Sequence, residues 1–143
     1  MNLLSIFRQI TAPLLSLFIF ELGNGFFPTL LSLDLSNQNQ SDLIIGLVAG
    51  SFYAGLLLGA FRIEVVIARI GHIRAFAAFA STLTVLCLLN GIINNVVFWL
   101  ALRFIGGFVT AGVFVVIESW LLCVSTTQTR GQILSFYMMS FYA

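Results

Sequence analysis

Arg103 and Glu118 both lie inside one apolar run, Val96–Cys123. At about 1.5 Å per residue the run is roughly 40 Å long as a helix, enough to cross a bilayer. A helix entered at Val96 carries Arg103 to a depth of about 10 Å. A charge inserted there costs roughly 2.5–3.5 kcal/mol and usually faces a polar cavity or partner. The two charges do not serve each other, being about 22 Å apart along the axis and only about 60° apart around it. One helix therefore presents two ionisable groups at two depths on roughly one face, the pattern of a pathway lining.

Glu21 extends that pattern to another apolar stretch, Ile10–Leu31. It falls about 16 Å from the start of the stretch, near the midplane. Asn24, Gly25 and Pro28 follow at helical spacing on its face, so this helix is expected to bend or loosen beside a cavity. Intramembrane carboxylates belong to ion or substrate paths, which makes Glu21, Asn24, Arg103 and Glu118 the transport or cavity candidates.

Other chemistries lack their residues. The sequence has no phosphate-binding loop, metal-ligand cluster or nucleophile–base arrangement. Ser119 follows Glu118 without a histidine on its helix, and the one His, His72, lies in a distant segment. No catalytic activity, metal or cofactor is expected. Cys87 and Cys123 sit inside apolar stretches and read as small packing residues. A net charge of +1 leaves no basic patch for a nucleic-acid partner.

The elements that position these residues follow from composition. The chain is 60% hydrophobic and 8% charged, against roughly 25% charged in soluble domains. Apolar segments cover about 10–31, 43–65, 75–93 and 96–123, with a fifth starting near 130. The first four reach the roughly 20 residues that a spanning helix needs. Without water to satisfy the backbone they must be helices. The expectation is an all-α, polytopic membrane protein whose 143 residues form one partial helix bundle with the lipid bilayer as its surroundings.

All six basic residues are Arg. Arg8 precedes the first helix, Arg62, Arg69 and Arg74 cluster between the second and third, and Arg130 lies between the fourth and fifth. The intervening turns, around Leu33–Asp42 and around Asn90, Asn94 and Asn95, carry no Lys or Arg. The positive-inside rule then puts the N-terminus and the Arg-bearing connections in the cytoplasm. From Arg130 to Ala143 the fifth helix reaches only about 20 Å, short of the roughly 30 Å hydrocarbon core. The chain therefore reads as the start of a longer protein, with the missing carboxy-terminal helices as partners.

Gly46, Gly50, Gly55 and Gly59 form two G-x-x-x-G pairs, spacing that lets helix backbones approach closely in lipid. Phe52 and Tyr53 beside them read as packing, Tyr53 with some claim on a cavity wall. Trp99 and Trp120, near opposite ends of the fourth helix, fit interfacial anchors. The third helix, free of charge, is expected to face mostly lipid. The Arg62–Arg74 segment reads as a cytoplasmic connection with His72 at the interface.

Arg103-Phe104-Ile105-Gly106-Gly107-Phe108-Val109-Thr110-Ala111 resembles the helix-four motif of the major facilitator superfamily of secondary transporters, an Arg followed by small residues at four-residue spacings, here Gly107 and Ala111. Both join the helix-packing set. Glu64–Arg74 resembles the superfamily's cytoplasmic gating motif: it keeps Arg69 and Gly71, while the leading Gly is Glu64, the Asp is Ala68 and a basic position is His72. Val116–Leu121 and Thr129–Met139 are similar to the YcaD-like branch of bacterial transporters.

The resemblance implies part of the amino-terminal bundle of a twelve-helix fold. It also implies secondary active transport of a small molecule by alternating access, with protons as the candidate coupling ion and the bacterial inner membrane as the location. Arg103 is implied in proton transfer, and Glu64, Arg69, Gly71 and Arg74 become gating candidates. The alternative is a non-transporting membrane sensor or assembly protein that keeps the fold.

Overall fold

The structure is a computed structural model that describes residues 3–125 and 127–142. Ala143, the expected end of the fifth helix, lies outside the described residues, as does the side chain of Arg8. The order is α1 (Leu3–Asn37), α2 (Asp42–Ile70), α3 (His72–Ile92), α4 (Val96–Val124) and α5 (Arg130–Tyr142), with no strand among the described residues. Among the described residues, four stretches are long and apolar enough to cross a membrane: Thr11–Asn37, Asp42–Ile70, His72–Ile92 and Val96–Cys123. The surface is built for lipid. Leu43, Leu57, Phe61, Ile73, Ile92 and Val97 all point outward, the reverse of a water-soluble surface with its polar cover.

Caps set where the helices begin and turn. Ser41 caps α2, its hydroxyl accepting from the Ile44 N–H, and Asp42 in the first turn and Arg69 in the last both match the helix dipole. Asn95 caps α4, its Oδ1 accepting from the N–H groups of Val97 at 3.0 Å and Phe98 at 3.2 Å. Gln38, just past α1, donates from Nε2 to Asn94 Oδ1 at 2.9 Å, joining the two short turns.

The segment between α2 and α3 differs from the expected loop. Arg62, Glu64 and Arg69 are all helical residues of α2, Arg74 belongs to the first turn of α3, and the whole connection is Gly71. Gly71 has φ 83° and ψ 159°, and its N–H still bonds to Ile67 O at 2.8 Å. A helix of 29 residues is about 43 Å long, so α2 outruns the hydrocarbon and its charged end needs no loop to reach water.

The chain divides into two compact units, residues 28–116 and residues 1–27 with 117–143. In the larger, the buried residues of α2 are Val48, Phe52, Gly55, Gly59, Ile63 and Ile67, a single stripe at helical spacing. It meets α4, whose most apolar stretch is more than half buried; α3 contributes Ala75, Phe79, Leu86 and Asn90. In the smaller unit Leu17, Ile117, Leu121, Ile133 and Tyr137 are buried.

Candidate functional site

Helices α2 and α4 approach backbone to backbone one turn from Arg103. A Cβ built on Gly55 would collide with the carbonyl of Phe104, and one on Gly107 with the carbonyl of Phe52. One turn further on, a Cβ on Gly59 would lie 2.7 Å from both Ala111 Cβ and the Phe108 carbonyl oxygen. Backbone therefore rests on backbone along Gly55, Gly59, Gly107 and Ala111, which only the smallest residues allow. Gly46 and Gly50 have no atom within 4 Å of such a Cβ: the two G-x-x-x-G pairs of α2 share a spacing, and one of them meets α4.

This seam seats Arg103. Its side chain is only 6% exposed, and its guanidinium carbon lies 4.4 Å from the centroid of the Phe52 ring. Phe52 is itself buried and meets Tyr53 edge to face, with centroids 5.6 Å apart and planes at 82°. Tyr53 on α2 and Cys87 on α3 are among its neighbours. The site thus combines a fixed cation, an aromatic face beneath it and a helix contact too close to yield. Phe52, read from the sequence as packing, is part of it. It lies three residues before Gly55 on the buried stripe of α2, a placement that marks it as inward-facing but not as a partner of the cation.

Two further polar atoms are buried in the same unit without a hydrogen-bond partner among the described residues, Asn90 Oδ1 and Thr110 Oγ1. Asn90 Nδ2 donates to the Leu86 carbonyl at 2.9 Å. Thr110 follows Arg103 by seven residues and so shares its face; the sequence placed it only within the helix-four motif, and it placed Asn90 in a turn, whereas Asn90 is a buried residue of α3.

Glu21, Asn24 and Glu118 belong to the smaller unit. Glu21 is half-buried, with Asn24 as a side-chain hydrogen-bond partner, and its Oε1 is buried without one among the described residues. Glu118 faces outward. Buried Tyr137 of α5 lies in the electrostatic field of both carboxyls, so residues of α1, α4 and α5 meet in one polar neighbourhood. Tyr137 went unremarked in the sequence because nothing in its local pattern separates it from Phe136 or Tyr142.

The gating candidates Glu64, Arg69, Gly71 and Arg74 are all exposed, and His72 is half-buried. Two anchoring or packing readings need correction. Trp99 is 2% exposed and its Nε1 donates to the Ile93 carbonyl at 2.6 Å, so it closes the end of the bundle; Trp120 is half-buried. Cys87 and Cys123, read as small packing residues, are free and exposed among the described residues. Among the described residues no group of His, Cys, Asp or Glu is placed to hold a metal ion.

The family model of the Major Facilitator Superfamily matches residues 14–143. Among curated proteins the chain is similar to the "Uncharacterized MFS-type transporter YcaD" of Escherichia coli O45:K1 (strain S88 / ExPEC), of O81 (strain ED1a) and of O139:H28 (strain E24377A / ETEC). Each is 33% identical over 135 residues, covering 94% of this chain and 35% of the relative. The chain thus spans about a third of the length of the curated relatives it matches. No solved structure gives a significant match.

Proposed function

Because the chain belongs to the Major Facilitator Superfamily, we propose that it works as part of a secondary active transporter that moves a small molecule, coupled to protons, by alternating access. The observation that carries this reading is Arg103: a cation 6% exposed in the most hydrophobic of the four candidate spans. Burying it costs several kcal/mol, and intramembrane charges retained at such cost mark ion or substrate paths. The curated relatives' name, "MFS-type transporter", supports the same class.

In this reading Arg103 holds an anionic group of the substrate or favours proton release from a neighbouring carboxyl. Glu21, with its partner Asn24, is the proton-accepting group of the smaller unit, and Glu118 is a second carboxyl nearer the cytoplasm. Glu64, Arg69, Gly71 and Arg74 form the cytoplasmic gate. The N-terminus is cytoplasmic, as the distribution of Arg implies, and the membrane is the bacterial inner membrane, as the likeness to bacterial transporters implies.

The test is transport by the full-length protein in proteoliposomes with an imposed pH gradient and a trapped pH dye. Amino acids, sugars and amphipathic cations are offered in turn. A compound that dissipates the gradient with intact Arg103 fails to do so with Arg103→Ala at equal reconstitution. Equal proton flux in the two proteins removes Arg103 from the mechanism.

A further inference from the structure

We propose that Phe52 is a positioning residue for Arg103, its ring face fixing where the guanidinium sits; this rests on Arg103 being the working charge of the transport reading. The guanidinium carbon lies 4.4 Å from the Phe52 centroid, well inside the roughly 6 Å within which a cation is drawn to the negative face of a ring. Both partners are buried, at 8% and 6% exposure, so water does not screen the attraction.

The ring has little freedom to follow the cation elsewhere. Any side chain on Gly107 would strike the Phe52 carbonyl, so the backbone that carries the ring is pressed onto α4 one turn from Arg103. Tyr53 stands against the ring at 82°. Arg has four rotatable side-chain bonds, and a ring face held in place narrows the positions its guanidinium can take. The glycine seam fixes the backbone beneath the ring, and the ring offers the guanidinium a fixed face. A phenylalanine in an apolar helix is therefore part of the polar site although it carries no polar atom.

Ring fluorination separates this role from filling space, since it drains the negative face and leaves the shape nearly unchanged. Mono-, di- and trifluorophenylalanine are placed at position 52 in the full-length protein, with Arg103 and in an Arg103→Met background, and unfolding is followed in mixed micelles. With Arg103 the folding equilibrium constant falls stepwise, by roughly 30-fold from phenylalanine to the trifluoro form, the size of a desolvated cation–π contact. With Arg103→Met the series is flat. A flat series with Arg103, or equal slopes in both backgrounds, overturns the proposal.

Proton-coupled flux is read on the same fluorinated proteins and on Phe52→Leu and Phe52→Tyr. Loss of flux along the series and in Phe52→Leu, with retention in Phe52→Tyr, supports positioning. Unchanged flux in Phe52→Leu overturns it. Flux that is indifferent to Arg103→Ala as well refutes the transport role of Arg103 itself, a result distinguishable from failure of the ring alone.

Discussion

Replacing Gly107 with alanine adds one methyl group where the backbones of α2 and α4 touch. Built on the existing backbone, that methyl collides with the Phe52 carbonyl oxygen and lies 2.8 Å from its carbonyl carbon and 2.9 Å from the Leu56 nitrogen. All three obstacles are main chain, so no rotamer change relieves them, and α2 must move away from α4. Overpacking of a well-filled interior costs about 1–3 kcal/mol. With backbone as the obstacle the upper end applies, about 3 kcal/mol, or roughly a 100-fold fall in the folding equilibrium constant.

Two controls use the same chemical change. A methyl on Gly46 or Gly50 meets nothing within 4 Å, and alanine is the better helix former, so those variants match or slightly exceed the parent. A methyl on Gly112 lies 2.7 Å from Ile63 Cδ1 and Phe79 Cε2, both side-chain ends that can swing aside; its cost is intermediate, about 1 kcal/mol. Unfolding in dodecyl sulfate mixed micelles, followed by tryptophan fluorescence, ranks the four. Gly107→Ala as stable as Gly46→Ala, or more stable than Gly112→Ala, would refute backbone contact as the basis of the seam.

Gly71→Ala lowers stability by about 1–3 kcal/mol, because φ 83° with ψ 159° lies in a region open essentially to glycine alone. Gly71→Asn gives no rescue in the same unfolding assay, since asparagine tolerates the left-handed helical region and this conformation lies outside it. Trp99 emits at shorter wavelength than Trp120 and resists aqueous quenchers, as its burial requires. Trp99→Phe costs about 1 kcal/mol for the lost bond to the Ile93 carbonyl, which thermal unfolding measures.

The four spans were legible because a helix in lipid must satisfy its own backbone and reach across about 30 Å, a demand that length and apolarity express directly. Arg103 was legible as an expensive charge for the same reason. The α2–α3 connection was not. Charges at Arg62, Glu64 and Arg69 read as a loop, whereas they decorate a helix that simply continues past the hydrocarbon. Trp99 carries the chemistry of an interfacial anchor, and only the proximity of the Ile93 carbonyl shows that its N–H is satisfied inside. Which glycine pair meets a neighbour depends on helix rotation, which the spacing of Gly46, Gly50, Gly55 and Gly59 leaves open. Phe52 was hidden differently: a ring in an apolar segment looks the same whether its face meets methyl groups or a guanidinium.

The seam between α2 and α4 has a mechanical consequence. Glycine and alanine surrender no side-chain rotamers on association, so the join is made without the entropy loss that a Leu-rich interface carries. By the same token it offers no alternative packing to slip into: a carbonyl wedged against Gly107 has nowhere to click to. The stretches of α2 and α4 that it joins therefore behave as one stiff body, and any bending within this unit falls at contacts other than this one.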